Sequence, residues 1–288
     1  MDNLIEAAGL CGASASDEVP AWQDMKTKIP SFSINDMGAL REYTNSVFID
    51  GAINCGTMHA YGLWPLKNIS FNDILVPYRP AVAQGAAAQN SVMGLARASY
   101  NAIIARLNKS GSLQNAQTLS MCAAQAANAG VPESSQTVRE ILLKLLASCF
   151  TPSGLCLTND WRGGGFTKHG EAHLDIVGNV GFATAITECI VQSSKNALRI
   201  LPSIFEDLGS GRITDIATDF GARVSIDWDV SKKRCNVKII PKITCKINIT
   251  VNNAFKKNKN KDLKMHSDIN GLKEFPLVAG RAVTLEFM

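Results

Sequence analysis

Apolar residues recur every three to four positions over much of the first two thirds of the chain. This spacing puts apolar side chains on one face of an α-helix. It predicts helices at residues 20–28, 79–108, 112–129, 134–148 and 182–196. The breaks between the later helices are short, which favours antiparallel helix pairs. Alanine dominates several of the apolar faces, which indicates close approach between helices, as in a helical barrel or toroid.

The pattern changes at residue 197, where the apolar period becomes two and β-branched residues dominate. Short segments of this kind between turns are typical of strands in an antiparallel sandwich. They lie at residues 197–202, 212–216, 223–229, 235–240, 246–251 and 282–287. The sequence therefore predicts a helical domain of residues 1–197 and a β-sandwich domain of residues 198–288.

Composition is that of a chain with a sizeable core, since 46% of the 288 residues are hydrophobic and 19% are charged. Apolar runs stay shorter than the ~20 residues that span a bilayer, so no membrane partner is expected. The N-terminus lacks a basic region followed by an apolar one, so no signal peptide is visible. Its pattern is typical of the last turns of a helix, which indicates that the chain is part of a larger protein. The compartment and the oligomeric state stay open.

Lysine and arginine are concentrated in residues 232–264, which hold eleven of them against one acid. Many alternate with isoleucine, valine and threonine, as on the solvent face of strands, where lysine also blocks edge-to-edge association. We therefore expect no nucleic-acid partner.

The eight cysteines contain no CxxC pair, and the four histidines contain no HExxH. We expect buried free thiols, no metal site and no cofactor.

Polar residues that could carry chemistry occur in four places. Residues 174–181 place Asp175, Asn179 and two glycines just before a helix. On its own this pattern is explained by a buried strand that turns into a helix, with an amide near the cap. Glu42 follows a turn, and His59 and Trp64 lie in a stretch rich in glycine and aromatic residues. Trp161 and Arg162 precede three consecutive glycines in a predicted loop.

Several segments, taken in order, resemble the catalytic C-terminal half of glycoside hydrolase family 95, the inverting α-L-fucosidases and α-L-galactosidases. Residues 21–43, AWQDMKTKIPSFSINDMGALREY, resemble the family's LPPYQIG…GQLQEW, and residues 59–65, HAYGLWP, resemble SHLYxLYP. Residues 174–194 and 198–202 resemble FQIDGNFGxTAGIAEMLLQS…IxLLPALP, and residues 221–228, GARVSIDW, resemble GGFEVDIEW. No single segment is specific, and their common order carries the resemblance.

The resemblance implies a mainly α fold, part of an (α/α)6 barrel, followed by a small antiparallel β-sandwich domain. It implies inverting hydrolysis of terminal α-linked fucose- or galactose-type sugars, and so a carbohydrate partner. Inversion needs an acid and a base about 6.5–9.5 Å apart. Glu42 matches the glutamate of QEW and takes the role of general acid. His59, Trp64, Trp161, Arg162 and Asn179 become candidates for sugar contacts.

No carboxylate in this sequence matches the family's aspartate on the base side, because that aspartate aligns with Val177. Asp175 lies two residues earlier, and side chains two apart on an extended segment face the same way. Asp175 is therefore a substitute base, a hydrogen-bonding residue or a misalignment. The family's HRHxSHL keeps only its last histidine, as His59, and both tryptophans of its GWSRAW are lost.

These departures leave two further hypotheses beside the hydrolase. In the first, the chain is a catalytically inactive, truncated remnant that acts as a carbohydrate-binding or structural module. Otherwise it is an α-helical toroid unrelated to hydrolases, with an accessory sandwich.

Overall fold

A computed structural model describes residues 2–13, 18–43, 57–67, 69, 92–108, 115–160, 173–255 and 275–288. Within them the chain forms six α-helices and then eight strands. The helices are α1 (Asp2–Leu10), α2 (Glu18–Lys28), α3 (Val92–Asn108), α4 (Ala116–Ala129), α5 (Ser134–Ser148) and α6 (Ile176–Ile190). No helix in these ranges is both long and apolar enough to cross a membrane.

Helix α4 is the centre of the helical part. It packs against α3, α5 and α6, and its alanines are buried on every face. Asn115 begins the helix, because its side chain accepts a hydrogen bond from the backbone N–H of Thr118 at 2.8 Å. Gly130 ends it in the left-handed conformation, at φ 66°.

The seam between α4 and α6 is formed by small residues. A Cβ atom built on Gly178 would lie 2.8 Å from the Cβ of Ala116, and one on Gly181 would lie 2.4 Å from the Oγ of Ser120. The two backbones therefore approach each other more closely than any larger side chain would allow.

Residues 57–67 form a short connection that lies against α4 and contains a 3-10 turn, Met58–Gly62. Gln125 of α4 is fully buried. Its side-chain amide donates to the carbonyl oxygens of Thr57 at 3.1 Å and Trp64 at 3.4 Å. One glutamine thus fastens both ends of the turn to the central helix.

Two four-stranded sheets make up the C-terminal part. The strands are β1 (Val191–Ser194), β2 (Ala197–Ile200), β3 (Ser210–Ala217), β4 (Ala222–Asp229), β5 (Arg234–Pro241), β6 (Cys245–Val251), β7 (Phe275–Leu277) and β8 (Val283–Phe287). Their orders are β1-β2-β6-β7 and β3-β4-β5-β8. All pairs are antiparallel except β2 with β6, which is parallel.

The sheets share one apolar core. Ile200 of β2 and Ile247 of β6 belong to the same buried cluster as Val224 of β4 and Val237 of β5. Buried and more exposed positions alternate along β4, β5 and β8. This is the period of two that the sequence predicted for strands.

The helical and strand cores meet at adjacent residues. Cys189 belongs to the helical cluster and Ile190 to the strand cluster, and α6 passes into β1 without a loop. The backbone oxygen of Ala127 in α4 accepts hydrogen bonds from Gln192 Nε2 at 2.8 Å and Ser203 Oγ at 3.1 Å. A single carbonyl therefore joins the central helix to two places in the strand part.

The expectation of a mainly α fold containing part of an (α/α)6 barrel is wrong. The described residues combine six helices with two sheets, and α4 is a core helix enclosed by its neighbours. The expected sandwich is also not purely antiparallel, because the chain leaves the first sheet after β2, forms β3 to β5 in the other, and returns beside β2 as β6 in the same direction. A parallel pair needs such a crossover, which a hairpin cannot provide.

The predicted helix at 182–196 has the wrong bounds. Asp175 starts α6 at residue 176, because its side chain accepts a hydrogen bond from the backbone N–H of Gly178. After Ile190 the chain is already extended, because Val191–Ser194 pairs with β2. By contrast, α5 spans the predicted residues 134–148.

Candidate functional site

A turn at residues 35–39, which packs against α3, positions Glu42. Asn35 accepts hydrogen bonds from the N–H groups of Met37 and Ala39, and Leu40 N donates to the Ala98 carbonyl of α3 at 2.9 Å. The turn therefore lies on α3, next to the segment that carries Glu42.

The Glu42 carboxylate forms a buried ion pair. Its Oε2 accepts a hydrogen bond from Arg106 Nη2 at 2.7 Å, and the two side chains are 7% and 8% exposed. This pair joins the segment that carries Glu42 to α3, so the contact of the carboxylate with Arg106 is explained by a structural role.

Asp175 is the N-terminal cap of α6. The residue is 7% exposed, and its Oδ1 accepts a hydrogen bond from Gly178 N at 2.9 Å. This is the usual way in which an aspartate satisfies a free N–H at a helix start. Val177, which aligns with the carboxylate of the resembling family, is 52% exposed.

Replacement of Asp175 by alanine should lower the free energy of unfolding by about 1 kcal/mol, because the cap is lost. Asp175→Asn should retain most of this stability, since asparagine caps helices about as well. Urea denaturation of the three proteins measures the effect. Equal losses in both variants would show that the negative charge, rather than the cap, is what matters.

Asn179 fastens a neighbouring segment to α6. Its side-chain amide donates to the Asp175 carbonyl at 2.8 Å, and its Oδ1 accepts from Cys156 N at 3.3 Å. Since both ends of the amide hold backbone groups, the contacts of Asn179 support the local fold.

His59 and Trp64 share the connection at 57–67. His59 lies half-buried in the 3-10 turn, and Trp64 Nε1 donates to Glu188 Oε1 at 3.2 Å. Trp161 and Arg162, the other two predicted sugar contacts, lie outside the described residues.

Glu188, in the last turn of α6, is the centre of a polar cluster. Its Oε2 accepts from Asn128 Nδ2 of α4 at 3.0 Å. Lys67 Nζ lies 3.5 Å from its Oε1 and 3.7 Å from Asp219 Oδ2. The connection at 57–67 and helix α4 therefore both contact this one carboxylate of α6.

Burial raises the pKa of Glu188 above its usual value. The charge of Lys67 and the hydrogen bonds from Asn128, Lys67 and Trp64 act in the opposite direction but do not cancel it. Desolvation penalises the ionised form, so the cluster binds the proton more tightly than an exposed glutamate does.

The raised pKa predicts that the protein loses stability as pH rises from 4.5, the ordinary value, to the pKa of the folded state. In this window the folded protein binds more protons at Glu188 than the unfolded chain does. Below the window both states are protonated, and the contribution is constant. One group limits the slope to about 1.4 kcal/mol per pH unit.

Denaturant titrations from pH 4 to 8 on wild type and Glu188→Gln test this. The stability of wild type relative to Glu188→Gln should fall as pH rises. Glu140→Gln, at an exposed glutamate of α5, controls for the loss of one carboxyl. A wild-type advantage that grows with pH would contradict the prediction.

A polar cleft opens beside this cluster. It is lined by Lys67, Asn128, Gln192, Ser193, Ser194, Ala197 and Arg199, and its cavity volume is about 20 Å³. This is room for about one water molecule. The cleft is therefore a shallow polar depression open to solvent.

The two predicted carboxylates do not belong to this cleft. Thirteen residues separate Asp175 from Glu188 along α6, which corresponds to about 20 Å at a rise of ~1.5 Å per residue. The contacts of Glu42 run to α3 instead. Trp64, a predicted site residue within the described ranges, donates a hydrogen bond to the cluster.

Glu188, Lys67 and Arg199 were not predicted from the sequence as site residues. One signal was available for Glu188, the single charged residue in α6. It follows Ala185 by three positions and directly precedes Cys189, so helical spacing places it next to an apolar face. A charge on the inward face of an apolar helix needs partners, and so indicates a polar cluster.

No side-chain group of three or more His, Cys, Asp and Glu in the described ranges could hold a metal ion. The seven cysteines described are free, and five of them are buried. Comparison with known proteins found no matching family model and no matching curated protein.

Proposed function

We propose that this chain binds carbohydrate and does not hydrolyse it through Glu42 and Asp175. The carbohydrate class rests on the ordered sequence segments that resemble glycoside hydrolase family 95. The absence of catalysis rests on one structural observation. Both carboxylates considered for catalysis, Glu42 from the resemblance and Asp175 as the substitute base, have structural partners, Arg106 at 2.7 Å and Gly178 N at 2.9 Å.

The cleft beside Glu188 supports binding. Its lining offers a hydroxyl at Ser193 and Ser194, an amide at Asn128 and cations at Lys67 and Arg199. Hydroxyls both donate and accept, which is the pattern that sugar hydroxyls require from a binding site. Trp64, an aromatic that the sequence suggested as a sugar contact, donates to Glu188 next to this cleft.

A glycan array tests binding, followed by titration calorimetry with any sugar retained. We expect terminal fucose- or galactose-type sugars to bind wild type, and Lys67→Met to weaken the binding about tenfold. Arg97→Met is the matched control, because Arg97 forms an exposed pair with Glu133 away from the cleft. Binding that is absent, or that is unchanged in Lys67→Met, contradicts the proposed site.

An assay with aryl α-L-fucosides and α-L-galactosides tests the catalytic half of the proposal. We expect no turnover by wild type. Hydrolysis that disappears in Glu42→Gln, with the fold retained, would restore Glu42 as the general acid.

Hydrolysis of terminal α-linked sugars is the second candidate function, favoured by one observation. Glu188 is a buried carboxyl with a raised pKa, beside Trp64 and an open cleft. Such surroundings are found around the general acid of glycosidases. If turnover is found, it should survive in Glu42→Gln and disappear in Glu188→Gln.

A further inference from the structure

Three turns meet at one end of the two sheets. Residues 242–244 join β5 to β6 and residues 278–282 join β7 to β8, so both connections cross from one sheet to the other. Residues 218–221 join β3 to β4 beside them, because Ala222 pairs with Pro241 at the end of β5. These three turns together form the crossover end of the strand part.

Hydrogen bonds hold the crossover end together. Lys242 N donates to the Gly221 carbonyl at 2.8 Å, which joins the β5–β6 connection to the β3–β4 turn. Ala279 N donates to Thr244 Oγ1 at 3.1 Å, which joins the β5–β6 connection to the β7–β8 connection. The surface of the crossover end is therefore set by contacts between the turns.

Two apolar side chains are exposed at this end. Ile243 is 54% exposed and Val278 is 50% exposed, and they belong to the two connections that the hydrogen bond from Ala279 joins. Ile243 lies directly against Gly221, since a Cβ built on this glycine would lie 3.1 Å from Ile243 Cγ1. The backbone of the turn thus supports an aliphatic side chain that remains half in solvent.

Positive charge accompanies the apolar side chains. Three exposed basic residues lie on or next to the two connections: Lys242, Lys246 and Arg281. The connections themselves contain no acid. The acids on β3 and its turn at this end each lie near a cation, since Asp215 Oδ2 is 3.2 Å from Arg223 Nη1 and Asp219 Oδ2 is 3.7 Å from Lys67 Nζ. The crossover end therefore carries a net positive charge.

Cations and exposed aliphatic side chains on one surface fit the interface of an anionic membrane. Basic residues near such a surface are attracted to its headgroups, while apolar side chains enter the boundary with the acyl chains. A soluble polyanion would also attract the cations, but it offers nothing to the two aliphatic side chains. A lipid surface accounts for both features.

We infer that the crossover end docks this chain onto an anionic lipid surface, with its two apolar side chains inserted and its three cations at the headgroups. The sequence predicted no membrane partner, but that prediction rested on the lack of a spanning run. Peripheral docking needs no spanning helix. It also does not depend on the proposed carbohydrate binding, so either can fail without the other.

Sedimentation of the whole chain with lipid vesicles tests the inference. We expect binding to phosphatidylcholine vesicles that contain about 30% phosphatidylserine, and not to vesicles of phosphatidylcholine alone. The binding should weaken as salt concentration rises, because the cations are exposed. Equal binding to both kinds of vesicle, or binding to neither, overturns the inference.

A double variant tests the role of the charges. Lys242→Gln/Arg281→Gln should weaken binding to the anionic vesicles about tenfold or more, because two cations are removed from the surface. Lys232→Gln/Lys233→Gln is the matched control, since the β4–β5 hairpin that carries these lysines lies at the opposite end of β4. Equal losses in the two variants would overturn the assignment to the crossover end.

A second double variant tests the apolar contacts. Ile243→Ser/Val278→Ser should also weaken vesicle binding about tenfold. Its control is Leu143→Ser/Leu146→Ser, at two leucines of α5 that are 44% and 42% exposed, and this variant should bind as wild type does. Thermal unfolding of each variant shows whether the fold is intact.

Heparin and double-stranded DNA test the alternative of a soluble polyanion. We expect both to bind more weakly than the anionic vesicles at equal salt concentration. Polyanion binding as tight as vesicle binding, together with vesicle binding that Ile243→Ser/Val278→Ser leaves unchanged, would overturn the assignment to lipid.

Discussion

Arg106→Met is expected to lower the free energy of unfolding by about 3–5 kcal/mol, the largest effect that we predict for a single substitution. The substitution leaves the Glu42 carboxylate buried, with its side chain 7% exposed and its cation removed. Methionine fills much of the volume of the arginine stem, so the loss comes mainly from the charge. Chemical denaturation at pH 7 measures it.

A second arginine on helix α3, Arg97, serves as the control for this prediction. Arg97→Met breaks a pair with Glu133 in which the two side chains are 41% and 59% exposed, and should cost at most about 1 kcal/mol. The double variant Glu42→Gln/Arg106→Met should recover much of the loss, because no buried charge remains. Similar losses for Arg97→Met and Arg106→Met would show that Glu42 is solvated in solution.

Gly181→Ala is expected to destabilise the protein by about 1–2 kcal/mol, although alanine normally stabilises a helix relative to glycine. The propensity gain is at most about 1 kcal/mol. It is opposed by a Cβ that would lie 2.4 Å from Ser120 Oγ and 2.7 Å from Ser120 Cβ. Overpacking of this kind costs about 1–3 kcal/mol. The helices must separate, because the contact atoms belong to a short side chain next to its backbone.

A compensating substitution tests whether the cost arises at this contact. Ser120→Gly removes both clashing atoms, so its cost and that of Gly181→Ala should be less than additive in the double variant. Val177→Ala, on the exposed side of α6, should change stability by no more than about 0.5 kcal/mol. Full additivity would place the source of the Gly181 effect elsewhere.

Periodicity alone predicted the elements whose burial follows their own sequence pattern. Helix α5 matches its predicted bounds, because its buried residues Val138, Ile141, Leu142 and Leu145 recur at helical spacing. Strands β4 and β5 were predicted to within a residue for the same reason, with alternating burial. Local patterns of this kind do not depend on distant parts of the chain.

The short strands β1 and β7 were not predicted. Val191–Ser194 continues directly from an apolar helix and becomes a strand only through pairing with β2. Phe275–Leu277 contains a proline and spans three residues beside β6. In both cases a tertiary contact, rather than local propensity, determines the structure.

The candidate site could be predicted only in part, because its contacts join distant segments. Trp64 was singled out as an aromatic, but its partner Glu188 lies 124 positions later. Lys67 and Arg199 carry no local motif. Asp175 shows a different case, because a cap is a local feature. A hydrogen-bonding role was one of its predicted alternatives, but the sequence placed the amide of Asn179 near the cap, and the structure has Asp175 there.

The shared carbonyl of Ala127 affects how the protein unfolds. Gln192 and Ser203 both bond to this oxygen, and all three residues are buried. Helix α6 also continues into β1 without a loop, so no flexible hinge lies between the helical core and the strand core. Neither core can therefore rotate away from the other as a rigid body. The backbone amides on either side of residue 190 should therefore exchange with deuterium at one common rate, set by a single opening event that involves both cores.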